Sequence, residues 1–287
     1  MKEKKLKPRL HVPDYCEVET VKDEGGKTIW PAPADAMERA RAFIRACAQS
    51  GKPTLLVPDK DADGLSSGVI LHRTLTALGL PTDLISTHIV TKGSSIHDST
   101  ERDLMSTTYN PSYIIVLDQG SRAAPRVIDN SSTKSLILDH HLSDSFPEDA
   151  LVVSACHYPP VATTSLLTYL TCLPLHPSPT TFTESCAYLA CIGTHGDLGN
   201  TLKWLPPFPD LTPTLKQHTK KAINEARLDR APSLHLPERP SHPPSPSYQR
   251  EPKSTPKSNA TRTAPRNSPP TAASPCCAST PPPKFTP

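Results

Sequence analysis

The stretch Thr54-Leu55-Leu56-Val57-Pro58-Asp59-Lys60-Asp61-Ala62-Asp63-Gly64 decides the fold. An apolar run of strand length ends in the carboxylates of Asp59, Asp61 and Asp63, and Gly64 and Leu65 then open a helical pattern. Like charges this close repel, so the cluster is costly unless a cation sits among them. Oxygen donors alone, at the end of a strand, suit a hard divalent ion such as Mg²⁺ or Mn²⁺. The same residues also suit a surface loop with an Asx-turn and a helix N-cap. The flanking sequence has to separate the two.

Upstream, Ala36, Met37, Ala40, Phe43, Ile44 and Cys47 recur at helical spacing and predict a helix over 34–49, stopped by Gly51 and Pro53. Downstream, Val69, Ile70, Leu71 and Leu75 give the apolar face of a helix over 65–78. A strand at 82–90 follows, then a polar loop at 91–98 carrying Lys92 and His97, and a short helix at 99–107. The nearly all-apolar run 112–117 ends in Asp118-Gln119-Gly120. A weak helical segment at 124–130 precedes a strand at 135–138 that ends in Asp139-His140-His141, and 151–154 supplies a further strand. Helices at 161–170 and 182–191 come next, the second running into Gly193-Thr194-His195-Gly196-Asp197-Leu198-Gly199.

Short apolar runs alternating with helices predict the α/β class: a Rossmann-like parallel sheet of about five strands with helices on both faces. Right-handed crossovers then line up the C-terminal ends of the strands along one edge, where α/β folds bind ligands. Asp59, Asp61 and Asp63, then Asp118, then Asp139, His140 and His141 each follow an apolar strand, so these groups are expected to share one crevice.

Four motifs now stand in order: Asp-x-Asp-Ala-Asp-Gly-x-x-Ser (Asp59 to Ser67), Asp118 after a strand, Asp139-His140-His141, and Gly-Thr-x-x-Asp (Gly193 to Asp197). Over roughly residues 50–200 they resemble the DHH phosphoesterase superfamily, and the Asp-Ala-Asp-Gly form most resembles its RecJ-like branch. The resemblance implies a phosphoesterase with two Mn²⁺ or Mg²⁺ ions. It implies Asp61, Asp63, Asp118, His140 and Asp197 as ligands, with Asp118 shared by both ions and Asp59 as an extra acid. His141 is implied as either a ligand or a contact to the substrate phosphate. Asp139 is a ligand, a group that fixes a histidine tautomer, or a turn cap. Where some relatives place a histidine before the first acids, this chain has Val57, which ligates nothing. Ser66 and Ser67 offer a phosphate cradle at a helix N-terminus or a simple cap. His195 is read as a phosphate donor or a bystander, and Lys92 and His97 as phosphate contacts or parts of a solvated loop.

The implied partner is single-stranded nucleic acid or a nucleotide; a cyclic dinucleotide, pyrophosphate or polyphosphate is the other enzymatic reading. Family enzymes carry a second domain after the fourth motif. Here residues 206–230 read as a helical linker, with Leu215, Ala222, Ile223 and Ala226 forming a partial apolar face. Residues 231–287 hold 16 of the 35 prolines, no glycine, and seven Lys or Arg against two Glu, a composition expected to be disordered. The expected organisation is therefore an arm (1–30), a phosphoesterase domain (31–205), the linker and the tail. The tail is read as a real extension, a splice form or a wrong reading frame. With half the cleft missing, a catalytically weak scaffold is the non-enzymatic alternative.

Charge adds little. The chain is +3 overall, but residues 1–230 carry 24 basic against 26 acidic side chains, so the basic excess belongs to the tail and is no argument for nucleic-acid binding by the folded part. The eight cysteines form no Cys-x-x-Cys pair, the Lys-rich start has no secretory apolar core, and no apolar run reaches the ~18–20 residues of a membrane span. These features predict an intracellular protein, cytoplasmic or nuclear, with reduced thiols and no membrane partner. Nothing in the sequence sets an oligomeric state.

Overall fold

Five parallel strands make one sheet: β1 (Thr54–Pro58), β2 (Ile85–Thr87), β3 (Tyr113–Leu117), β4 (Lys134–Asp139) and β5 (Ala150–Ser154), in the spatial order β2-β1-β3-β4-β5. The computed structural model describes residues 15–199, 202–218 and 221–223. All of them fall in one unit, Met1–Pro240; a second unit, Ser241–Pro287, and the expected tail from 231 lie outside the described residues.

Among the described residues, six α-helices accompany the strands: α1 (Ala34–Ser50), α2 (Ala62–Ala77), α3 (Ser99–Tyr109), α4 (Thr164–Cys172), α5 (Pro179–Leu198) and α6 (Thr212–Gln217), the last within the expected linker. Successive side chains of a strand point to opposite faces, and the core divides accordingly. Leu56, Ile115, Leu117, Leu136, Leu138 and Val153 face the cluster formed with α1, α2, α4 and α5. Leu55, Val57, Ile114, Val116 and Ile137 face Met105 of α3 together with Ile96, Val127 and Ile128. Burial on both faces is why β1 and β3 read as unbroken apolar runs.

Three expectations are corrected. Only Ile85–Thr87 of the expected strand 82–90 pairs with β1, because Thr82–Leu84 behind Pro81 coils into a 3₁₀ turn. Residues 124–130 form no helix; Pro125 interrupts them, and Val127 and Ile128 bury from an irregular segment. The helix expected over 182–191 is longer at both ends: α5 runs unbroken from Pro179 to Leu198 and takes in Gly193 and Gly196 of the fourth motif.

The chain leaves β1 for β2 on one side and returns through α3 to β3 on the other, so a topological switch point lies between β1 and β3. Ligands of open α/β sheets bind outside the strand ends at such a point. Parallel register continues one residue past the strands: Asp59 N–H donates to Leu117 O (2.9 Å) and Asp118 N–H to Leu138 O (3.0 Å). With Pro58 opposite Leu117 and Leu117 opposite Leu138, this places Asp59, Asp118 and Asp139 in a row along the edge. Among the described residues, no helix is long and apolar enough to cross a membrane.

Candidate metal centre

Asp61 is the N-cap of α2, and its Oδ1 accepts from the backbone N–H groups of Asp63 (3.0 Å) and Gly64 (2.9 Å). The cap and the candidate ligand are thus one residue, since a carboxylate has lone pairs left over after two such bonds. Gly64 is required here. A Cβ at that position would lie 2.5 Å from the backbone oxygen of Asp59, so only glycine lets the loop fold back on itself.

Asp63, in the first turn of α2, is fully buried. Its carboxylate is held by the N-terminus of α4: Thr164 N–H donates to Oδ2 (2.6 Å) and Ser165 N–H to Oδ1 (2.9 Å). Asp118 follows β3 with φ +63°, a left-handed conformation that Asp tolerates better than most residues, and is 2% exposed. The Thr164 hydroxyl donates to Asp118 Oδ1 at 2.8 Å. His140 Nε2 lies 3.2 Å from Asp118 Oδ1, 3.2 Å from Asp197 Oδ2 and 3.9 Å from Asp63 Oδ2. Asp197 sits one helical turn beyond Gly193 on α5, so both share a face. A Cβ at Gly193 would come within 2.5 Å of Asp63 Oδ1 and 2.2 Å of Ser165 Oγ, so glycine is what lets α5 close on the site.

Asp139 has a different role. Its Oδ1 accepts from His140 N–H (2.7 Å), His141 N–H (3.2 Å) and His141 Nδ1 (2.7 Å), and its Oδ2 accepts from the Ser121 hydroxyl. Burial raises its pKa, but the His141 and Ser121 hydrogen bonds more than offset this and hold the carboxyl below the usual range. His141 is thereby fixed through Nδ1, and its exposed ring keeps Nε2 free of that bond.

The structure brings most of the expected residues together, in three groups of donor atoms, each within 4.8 Å of one another: Asp59–Asp61–Asp118, Asp118–His140–His141 and Asp63–His140–Asp197. Two expected residues lie elsewhere. Ser67 is fully buried, and its hydroxyl donates back to the Asp63 carbonyl (2.8 Å). His195 is fully buried on α5, with its ring 6.1 Å from that of Trp204. Lys92 is exposed in its loop, whereas His97 lines a cavity of about 350 Å³ with Asp59, Asp118, Asp139 and His141. Sequence reading missed Thr164 and Ser165, because hydroxyl residues at a helix start read as ordinary caps.

The donors fit a divalent cation. Burial, then the charge of Asp197, pushes Asp63 up to about 6; burial, then Asp63, pushes Asp118 up to about 9. Burial opposes charge on His140, yet Asp118 and Asp197 hold it protonated, up to about 11. Carboxylates packed so closely recruit protons, which is the behaviour of a site built to be neutralised by a cation. Oxygen donors with one or two imidazoles match Mn²⁺ and Mg²⁺.

Among solved structures, the chain is similar to the DHH domain of a member of the s1p family of ribosomal proteins, at 14% identity over 67% of this chain and 50% of that one, with a TM-score of 0.50. It also matches RecJ from Thermus thermophilus in complex with Mn²⁺, at 20% identity over 70% of this chain and 28% of that one, TM-score 0.45. A second match is an exonuclease RecJ bound to manganese, at 22% identity over 58% and 44%, TM-score 0.46. The chain thus spans 28% and 44% of the lengths of these two RecJ chains. No curated protein sequence matches the chain. Residues 53–194 match the family model for the DHH family, N-terminal domain, a span that contains β1 to β5, the Asp-His-His tripeptide and most of α5. The chain belongs to the DHH family.

Proposed function

We propose that the chain is a phosphoesterase that hydrolyses phosphodiester bonds of single-stranded nucleic acid or short oligonucleotides, using two divalent cations, Mn²⁺ or Mg²⁺. The observation that supports this most is the sharing of Asp118 between two donor groups, with His140 linking it to the third. Adjacent cation positions joined by one carboxylate are what two-metal phosphoryl chemistry needs. Asp61, Asp63, Asp118, His140 and Asp197 would hold the ions, with Asp59 as a further oxygen donor beside Asp61. When bound, the ions supply Lewis acidity toward a phosphoryl oxygen and make water nucleophilic near neutral pH.

The chain's own residues do the positioning. Asp139 fixes the tautomer of His141, which leaves Nε2 to ligate when neutral or to donate to an anionic oxygen when protonated. Thr164 and Ser165 hold the Asp63 and Asp118 carboxylates in place, so little reorganisation is needed as charge develops. The crevice beside them suits one nucleotide unit, which favours a flexible single strand over a duplex.

The test is cleavage by the purified chain with Mn²⁺ of a 5′- or 3′-labelled single-stranded oligonucleotide and of a chromogenic phosphodiester, against Asp118→Asn. Cleavage lost in the variant is expected. Absence of cleavage of every substrate by the unaltered chain, or equal rates in both proteins, refutes the reading.

A further inference from the structure

Seven arginines lie among the described residues: Arg39, Arg41, Arg45, Arg73, Arg102, Arg122 and Arg126. Six are committed within the fold. Arg39 pairs with Asp35, and Arg41 and Arg45 with Glu38. Arg102 pairs with Asp129, Arg126 with Asp149, and Arg73 donates to the Ser185 carbonyl. Arg122 alone has no ion pair or side-chain hydrogen bond among the described residues, although it lines a cavity with Asp59, Asp118 and Asp139. No carboxylate of the cavity pairs with this exposed guanidinium.

The cause is local. Gly120, at φ +103°, turns the chain sharply after Asp118, and Arg122 N–H closes back on the Gly120 carbonyl (2.8 Å). The missing Cβ of Gly120 also makes room for Ile96, which is 2% exposed; a methyl group there would meet Ile96 Cδ1 at 3.2 Å. Ile96 is thus seated on the turn that carries Arg122, and its neighbours Ser95 and His97 line the same cavity. That loop is braced from within, Ser95 N–H donating to Asp98 Oδ2 (2.8 Å) and His97 N–H to Ser95 Oγ (3.3 Å). Burial, then the positive charge of Arg122, pushes His97 down to about 4, so near neutral pH it is an uncharged imidazole with one N–H to offer. The lining therefore carries two unlike sets of groups: the carboxylates of Asp59, Asp118 and Asp139, and the exposed guanidinium of Arg122 with the half-buried imidazole of His97.

We propose that Arg122 and His97 form the anion-binding wall of this cavity, holding the phosphoryl oxygens of the substrate that face away from the cation-holding carboxylates. This rests on the phosphoesterase reading above and adds to it the residues that receive the phosphoryl group. A guanidinium presents a planar fork of donors that matches phosphate oxygens, and charge-assisted bonds of this kind are roughly twice as strong as neutral ones. The cavity, at about 350 Å³, lies at the small end of ligand pockets and suits a single phosphoryl group with its sugar. Arg122 and His97 are substrate-positioning residues, and neither belongs to a donor group of the metal centre.

The experiment is calorimetric titration of inorganic phosphate into the full chain loaded with Mn²⁺, beside separate Mn²⁺ titrations of the same proteins. Arg122→Gln is expected to weaken phosphate binding by about tenfold or more, and His97→Gln by a few-fold. Arg122→Lys is expected to restore part of the loss, and Mn²⁺ affinity to stay within about twofold throughout. Because Arg122 is exposed, the variants are expected to keep the unaltered melting temperature. Unchanged phosphate affinity in Arg122→Gln overturns the proposal, as does a parallel loss of Mn²⁺ binding, which would mark a structural role. An unaltered chain that binds Mn²⁺ but no phosphate overturns the proposal alone. One that binds no Mn²⁺ overturns the phosphoesterase reading and the proposal with it.

Discussion

The Thr164 hydroxyl donates to Asp118 Oδ1 across 2.8 Å, which ties the first turn of α4 to the residue that follows β3. Both side chains are buried, and His140 Nε2 faces the same Asp118 Oδ1 at 3.2 Å. Thr164→Val keeps the shape and removes the hydroxyl, leaving a buried carboxyl short of a partner. Removing one partner of a buried hydrogen bond costs about 1–3 kcal/mol. The variant is expected to unfold at lower denaturant concentration by that amount and to bind Mn²⁺ more weakly. Denaturant titration and calorimetry check both, and an unaltered midpoint would count against the role given to Thr164.

Gly193 and Gly64 place the acids by what they lack. An added methyl group at Gly193 would meet Asp63 Oδ1 and Ser165 Oγ inside contact distance, and one at Gly64 would meet backbone atoms of Asp59. At Gly64 the obstacle is backbone, which cannot swing aside. Overpacking costs about 1–3 kcal/mol where the surroundings can yield and more where they cannot. Gly64→Ala is therefore expected to destabilise more than Gly193→Ala. Gly193→Ala is expected to cost more in Mn²⁺ affinity than its stability loss implies, because it displaces the Asp63 carboxylate. Melting temperatures and metal titrations of the pair decide this.

The sheet is legible in the sequence because strands buried on both faces leave continuous apolar runs; β1, β3, β4 and β5 lie within about a residue of their expected bounds. β2 is shorter than its apolar run suggests, since an edge strand needs only a short pairing, and Leu84 packs against the core from a 3₁₀ turn. The last helix reads as ending at 191 because Gly193 and Gly196 weaken a helical pattern. In α5 the first of them serves close packing and not chain reversal. Acids and histidines of the site can be found from their positions after strands. The hydroxyl residues that hold them cannot, because Thr164 and Ser165 act across more than a hundred residues of sequence on Asp63. Arg122 is silent in sequence for the same reason: only the fold shows that it has no ion-pair or side-chain hydrogen-bond partner among the described residues.

Asp139 and His141 give a third prediction. The Asp139 hydrogen bond, against the opposing effect of burial, raises the His141 pKa. Asp139→Asn removes the negative charge and keeps the size, so the imidazolium loses its stabilisation and His141 is expected to titrate at lower pH. An NMR titration of the metal-free protein reads this directly. If the His141 midpoint stays or rises, Asp139 does not set its protonation.

Metal-free protein is expected to lose stability as pH rises, and added cation to reverse the loss. Asp63 and Asp118 keep their protons up to about 6 and about 9 in the folded chain, for the reasons of burial and mutual repulsion given above. An unfolded Asp releases its proton near ~4. The folded state therefore binds more protons over that interval, and stability falls with increasing pH. His140 acts in the same direction: held charged up to about 11, it contributes stability that is complete below the unfolded value near ~6.5 and lost as pH rises toward the folded one. Asp118 and His140 face each other and titrate as one cluster, which holds more protons in the folded chain than in the unfolded one between about pH 6.5 and 9, so the melting temperature without metal should fall over that range. Mn²⁺ and Mg²⁺ require deprotonated carboxylates, so the rise in melting temperature at fixed metal concentration should grow over the same interval. Asp118→Asn, which has no proton to lose, should flatten the metal-free slope and shrink the metal effect. Thermal scans across this range, with and without Mg²⁺, measure all of these quantities; a level metal-free profile would contradict the burial of charge inferred at Asp118.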